Sequence, residues 1–208
     1  MTGPTHRQYS ICFGYLTLML FHALEITKVN YYLALPIILL AAKSGALFPD
    51  LDHDWHNIGE KTSLNKVINV IIHVTGGKHR SWQTHSIDIT LAYTFLAWFL
   101  PNELYSRNVI SEINREVLLL LTLGFASGWI SHILSDMLTS AGVRLVCWNK
   151  FKVTLVPKKL GPLKFNTGHE WEAFNFKVMQ IINIFLGIIC LGYPLVRNGV
   201  LENIINKN

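Results

Sequence analysis

Charge is what this chain has least of. Of its 208 residues only 15% are Asp, Glu, Lys or Arg, while 50% are hydrophobic; a soluble domain carries about a quarter charged residues. With a mean hydropathy of +0.32, an ordinary soluble domain is excluded. Cysteine is nearly missing too. The three cysteines, Cys12, Cys147 and Cys190, are far apart and form no C-x-x-C pair, which excludes a thiolate metal site and a disulfide framework. Cys12 and Cys190 sit in apolar runs and read as small buried hydrophobes. There are no internal repeats and no low-complexity tracts. No small-residue cleavage pattern follows Arg7, and the first apolar run contains His22 and Glu25, so a cleavable signal peptide is not expected.

What the chain does have is long apolar runs. Five are visible, over residues 9–27, 31–48, 87–100, 117–139 and 178–196. Each is close to the length that crosses a hydrocarbon core of about 30 Å. The second contains Pro36 and Lys43, the third is short and stops at Pro101, and the fourth carries Gly124, Gly128, Ser131 and Ser135. Small residues four apart let helices approach closely in a membrane. A further apolar piece from Val67 to Val74 follows Ser63, a candidate N-cap, and ends at Gly76-Gly77. It is too short to span and belongs at the interface or in a polar cap. The expected fold is therefore all-α: one domain over residues 1–208, a polytopic membrane helical bundle of about five spans with a polar metal-binding cap on one face.

The net charge of +5 fits that topology. With the N-terminus inside, twelve Lys and Arg residues fall on the inner side and five on the outer. That is the positive-inside asymmetry. Most of the inner excess lies in the basic segment 141–177.

The chemistry begins where the second run ends. Gly45 to His56 reads GALFPDLDHDWH, with three carboxylates and two imidazoles inside seven positions. Pro49 pushes the residue before it away from α geometry, so the cluster should sit where a membrane helix stops. Carboxylate and imidazole together suit zinc, manganese, iron and other divalent ions. The plain alternative is a solvated, helix-capping acidic loop.

The same topology puts other His- and Asp-bearing segments on that face. His6 precedes the first span, His79 and His85 precede the third, and His132 and Asp136 lie near the inner end of the fourth. His132 and Asp136 are i and i+4 on a helix, hence on one face. They also lie inside an apolar run, where ionisable groups are expensive and usually functional or paired. Metal ligation competes there with a simple His–Asp hydrogen bond between helices. Arg80, beside His79, could clamp a phosphate with its planar fork or act as a positive-inside anchor. His22, Glu25 and His73 have no acidic or imidazole partner nearby and read as structural. Glu170 and Glu172 precede the fifth span on the same face; they suit a helix start or a metal shell.

These pieces taken together resemble the YdjM-like membrane-bound metal-dependent hydrolase family, whose founding member is LexA-regulated. The matching pieces are Thr5-His6, GALFPDLDH at 45–53, HRSWQTHS at 79–86, SHILSD at 131–136 with TSAGVRL after it, and NTGHEWE at 166–172. They occur in family order across nearly the whole chain. The family is in turn distantly similar to the zinc-dependent phospholipase C and P1 nuclease group, through H-x-x-x-D on a helix. The resemblance implies metal ligation by His6, Asp50, Asp52, His53, His79, His85, His132 and Asp136, and Glu172 falls at the family's late glutamate. His169 and Glu170 depart from the family pattern.

So large a ligand set exceeds what one tetrahedral ion needs. Two or three divalent ions are expected, with zinc favoured over manganese or iron. Asp52 is the candidate base or bridging ligand and Arg80 the candidate phosphate clamp. The expected activity is a hydrolase acting on a phosphoester, with a phospholipid or related amphiphile as substrate. It would work at the cytoplasmic side of a bacterial inner membrane. Two other classes compete. One is a non-enzymatic membrane protein with a structural or sensing metal site. The other is a nuclease-like enzyme, suggested by the basic segment 141–177, although membrane anchoring accounts for that segment without nucleic acid as a partner.

Overall fold

The structure is a computed structural model that describes residues 1–58, 61–139, 142–144, 146–148, 151–155 and 170–197. Its helices are α1 (Gly3–Ala23), α2 (Tyr31–Leu47), α3 (Ser63–Val74), α4 (Trp82–His85), α5 (Ile87–Ser106), α6 (Glu112–Met137) and α7 (Glu170–Arg197). Short 3-10 turns at Pro49–Asp52 and Trp55–Asn57 continue from α2. Two two-residue strands, β1 (Val143–Arg144) and β2 (Lys152–Val153), pair antiparallel. The all-α expectation holds. About half of the basic segment 141–177, including Lys150, Lys158, Lys159, Lys164 and His169, lies outside the described residues.

The five long helices correspond to the five apolar runs. Three segments are long and apolar enough to cross a membrane: Tyr31–Asp52, Glu112–Met137 and Glu170–Arg197. Helices α1 and α5, of 21 and 20 residues, reach about 30 Å at 1.5 Å per residue, so they match the other spans in length rather than in apolarity. Helix α6 is central and packs on α1, α2 and α5, while α7 leans on α1. The outward side of α7 exposes Ile181, Ile184, Phe185, Ile188 and Ile189, a continuous apolar surface that suits lipid rather than water.

The third apolar run does not stop at its proline. Pro101 lies inside α5, which runs on to Ser106. A proline has no N–H for the carbonyl four residues back. Here that carbonyl is Ala97; the Thr122 hydroxyl of α6 reaches it at 3.1 Å while sharing its one proton with the Leu118 carbonyl of its own helix at 2.7 Å. A hydroxyl on a neighbouring helix thus shares its proton with the freed carbonyl, one way a membrane helix tolerates proline. The short α3 also starts slightly differently from expectation: its N-cap is Thr62, whose hydroxyl accepts from the Asn65 N–H at 3.1 Å.

Small residues set the distance between α2 and α6. A Cβ on Gly45 would lie 1.9 Å from the Phe125 carbonyl oxygen, and one on Gly128 would lie 1.8 Å from that of Ala42. Only glycine fits at either contact. At the far end of the bundle the Thr27 hydroxyl and the Lys28 N–H both donate to the buried Glu116 carboxylate, at 3.2 and 2.9 Å. That holds the turn between α1 and α2 against α6.

The alternation of long helices gives the site its location. The start of α1, the end of α2, the start of α5, the end of α6 and the start of α7 all lie at one end of the bundle. Helices α3 and α4 and the small sheet cover that end. Trp129 of α6 fixes α4 there by donating its indole N–H to the Thr84 carbonyl at 2.7 Å.

Candidate metal centre

The centre is built on α6. His132 and Asp136, one turn apart, are both buried. The close α2–α6 contact brings the Ala46 carbonyl within 2.7 Å of His132 Nδ1. A carbonyl only accepts, so Nδ1 carries the proton and Nε2 is left with a lone pair. His6 comes in from the first turns of α1 and stacks on His132 with ring centroids 3.7 Å apart. Ser135 Oγ donates to the His132 carbonyl at 2.8 Å. Its single proton is therefore used, and it accepts from His6 Nδ1–H at 2.7 Å. His6 Nε2 then also offers a lone pair, 3.5 Å from Asp136 Oδ1.

A third imidazole arrives the same way. Thr84 donates its hydroxyl proton to Asp52 Oδ2 at 2.6 Å, and His85 Nδ1 lies 3.1 Å from the same oxygen. With its proton spent on Asp52, the Thr84 oxygen accepts from His85 Nδ1–H at 2.9 Å, so His85 also turns a bare Nε2 inward. That nitrogen is 3.2 Å from His132 Nε2 and 3.7 Å from Asp136 Oδ2. Three imidazoles held in one tautomer by carbonyl, hydroxyl and carboxylate acceptors, with lone pairs facing a carboxylate, are the second-layer arrangement of metal-binding histidines. Among the described residues His6, His132 and Asp136 form the group of three whose donor atoms all lie within 4.8 Å of one another. The donor chemistry fits a divalent ion such as zinc.

The other expected ligands fall into two sets. Asp50 adjoins the centre, with Oδ1 3.9 Å from His132 Nε2 and 4.0 Å from His53 Nε2, and its side chain is 26% exposed. It links the buried core to the surface. His53 and His79 stack on each other outside it, with centroids 3.6 Å apart. Burial and then the neighbouring His79 lower the His53 pKa, which keeps that ring neutral and able to ligate. Asp52 is placed differently from a bridging ligand or base. It receives the Arg80 N–H at 2.8 Å, the Thr84 hydroxyl, and Nδ1 of both His79 and His85. Its position is behind the imidazoles, orienting them.

Arg80 is similarly committed. Its Nη2 lies 3.0 Å from Asp136 Oδ2, and Nη1 reaches Thr139 Oγ1 and the Gly142 carbonyl at 3.4 Å each. Its backbone is left-handed, with φ of 59°, a conformation uncommon for a side chain of this size. The turn is held there by the Arg80 N–H bond to Asp52. The other oxygen of Asp136 meets the Met1 amino group at 2.9 Å. Glu172 belongs to a neighbouring cluster rather than to the three-residue centre. It accepts from the Thr2 and Thr5 hydroxyls at 2.8 and 2.9 Å and ties α7 to the start of α1. His22 and His73 stay apart from the centre: His22 packs against Tyr31, and His73 Nδ1 meets the Asn69 carbonyl.

Sequence reading did not single out Ser135, Thr84 or the Ala46 carbonyl for these roles. Ser135 had a signal, since it is three residues from His132 and shares its face. Thr84, next to His85, had a weaker one. A backbone carbonyl on another helix had none.

The fold and site together define a class: an all-α membrane bundle with a buried imidazole–carboxylate centre where its long helices end. Within that class the chain belongs to the YdjM inner membrane protein family, whose model matches residues 1–198. No match is found among curated proteins or among solved structures.

Proposed function

We propose that this protein is an integral-membrane metal-dependent hydrolase acting on a phosphoester of a lipid or a related amphiphile. The observation that carries the reading is the convergence of three Nε2 lone pairs, from His6, His85 and His132, on the Asp136 carboxylate. His6, His132 and Asp136 would hold one divalent ion, with His85 beside it; Asp50, His53 and His79 are the donors for a second. Zinc is the favoured metal, and manganese and iron suit the same donors. When bound, such ions supply Lewis-acid polarisation of a phosphoryl oxygen and a nucleophile at neutral pH.

The chain's own residues supply the rest. Ser135, the Ala46 carbonyl and Asp52 hold the imidazoles in the ligating tautomer. Arg80 balances the charge of Asp136 and keeps positive charge at the floor of the centre, where an anionic phosphoryl group would be attracted. Asp50 stands on the path from the buried core to solvent. A purely structural metal site would be closed by protein ligands on every side; the partly exposed Asp50 and the exposed His79 favour an open side and hence catalysis. The excess of basic residues on this side of the spans supports a cytoplasmic placement.

The test is hydrolysis of phospholipids, soluble phosphodiesters and nucleic acids by detergent-purified protein, with and without chelator. Metal content is measured on the same samples. Chelator-sensitive cleavage that is abolished in His132→Ala and Asp136→Ala is expected. Fewer than one bound divalent ion per chain would refute the metal centre, and full metal content with no cleavage of any substrate would favour a structural or sensing site.

A further inference from the structure

Helix α3 has three sides with different partners. Ile68, Asn69 and Ile72 pack toward the end of α2, against Leu51 and Ile58. The Asn69 amide donates to the Leu51 and His53 carbonyls at 2.6 and 2.8 Å. This clamps the helix directly to the terminus of a membrane span. Lys66 and His73 lie on a second, polar side. The third side is Leu64, Val67, Val70, Ile71 and Val74, each 51–81% exposed. At about 100° per residue these five fall in one arc of roughly 120°. No described part of the chain covers them.

Three observations say what covers that arc. Its height is fixed, because α3 is bonded to residues 51 and 53 where the candidate span Tyr31–Asp52 ends. Its charge is one-sided: apart from Arg80, which is spent on Asp136, residues 61–87 contain Lys61, Lys66 and Lys78 and no Asp or Glu. Its neighbour Trp82 is also exposed, and tryptophan is enriched at membrane interfaces. An apolar stripe with basic flanks at the level of a membrane boundary is the pattern of a helix lying in the interface plane.

The helix also contributes a residue to each of two cavities beside the centre, His73 to one and Asn65 to the other. One, of ≈ 480 Å³, is lined by Asp52, His53, Asp54, His73, Lys78 and His79. The other, of ≈ 470 Å³, includes Asp50, His53 and Asn65 in its lining. We propose that α3 lies in the headgroup layer of an anionic membrane leaflet, its apolar stripe among the acyl chains, and so opens these cavities to lipid headgroups rather than to bulk water. This rests on the membrane reading of the bundle and deepens the proposed function by making the leaflet surface the source of substrate. The occupant of the stripe is the bilayer itself.

The test places single spin-labelled cysteines at Val67, Val70 and Val74 on the stripe, and at Lys66 and His73 on the polar side. Cys12, Cys147 and Cys190 are replaced by alanine in the full chain. Helical circular dichroism and elution as a single species establish that each variant folds. The protein is reconstituted into phosphatidylethanolamine–phosphatidylglycerol vesicles and into phosphatidylcholine vesicles. Stripe labels are expected to show several-fold higher relaxation by oxygen than by a polar nickel chelate, with the reverse on the polar side. The contrast should be larger in the anionic vesicles. Stripe labels open to the nickel chelate would overturn the proposal, as would spin–spin broadening, which would show a second copy on the stripe. Equal contrast in the two vesicle types would overturn the requirement for an anionic leaflet. None of these readouts involves hydrolysis or metal content, so the depth of α3 and the hydrolase reading fail separately.

Discussion

His132 Nε2 faces His85 Nε2 across 3.2 Å. In the neutral rings neither nitrogen carries a proton, because each ring's other nitrogen is committed as a donor: His132 Nδ1 to the Ala46 carbonyl and His85 Nδ1 to the Thr84 hydroxyl oxygen beside the Asp52 carboxylate. Two lone pairs at that distance repel unless a cation lies between or beside them. Two imidazoles on one tetrahedral zinc ion sit about 3.3–3.4 Å apart, given Zn–N bonds of about 2.0–2.1 Å. This pair of nitrogens therefore stands close to the spacing that one tetrahedral zinc ion would need.

Removing the central carboxylate should cost both metal and stability. Asp136→Ala leaves Arg80 and the Met1 amino group without their buried partner. Breaking a buried pair from one side destabilises by roughly 3–5 kcal/mol. His132→Ala should lose metal with a smaller stability loss. Metal analysis paired with thermal unfolding in detergent separates the two effects.

Asp52→Asn should weaken metal binding without abolishing it. Asp52 accepts from His85, His79, Thr84 and the Arg80 N–H, and second-layer substitutions typically reduce affinity by about 10–100-fold. Chelator-competition titration measures this. Complete loss of metal would mark Asp52 as a direct ligand instead, and unchanged affinity would deny it either role.

The glycine contact between α2 and α6 should behave as part of the site. In Gly128→Ala the new methyl meets the Ala42 carbonyl, and overpacking of this kind costs about 1–3 kcal/mol. Forcing the helices apart also lengthens the His132–Ala46 bond, so metal affinity should fall alongside thermal stability. Gly192→Ala, with open space around its Cβ, should leave affinity unchanged. Equal behaviour of the two variants would contradict the close-approach account.

Thr122 and Pro101 should be coupled. In Thr122→Val the Ala97 carbonyl loses the proton that Thr122 shares between it and the Leu118 carbonyl, at a cost of up to about 1 kcal/mol. In a Pro101→Ala background the restored N–H at position 101 can bond that carbonyl, and the same threonine change should cost less. A double-mutant cycle read by thermal unfolding gives the coupling; additive effects would mean that the hydroxyl does not stand in for the missing N–H.

Much of the site was legible before the fold was known. Runs of apolar residues place the spans because backbone polar groups in lipid must be satisfied within a helix. Alternating spans then carry His6, Asp50, His85, His132 and Asp136 to one end of the bundle. The roles within that end were less legible. Asp52 and Arg80 read as base and clamp because nothing in a linear pattern says which partners they meet. In the fold Asp52 stands behind the imidazoles and Arg80 against Asp136. Glu172, grouped with the ligands by resemblance, accepts from Thr2 and Thr5.

Pro101 makes the same point for the helices. A proline ends a helix when its freed carbonyl finds no other donor, and the run at 87–100 reads that way in isolation. The donor comes from Thr122, 25 positions along the chain from Ala97. By itself the sequence determined which segments are apolar, which carry imidazole and carboxylate, and at which end they gather, because those follow from local period and from the thickness of a membrane. Only the tertiary structure decided which nitrogen of each imidazole faces inward and which partners each carboxylate meets. Both depend on hydrogen-bond partners supplied by other helices.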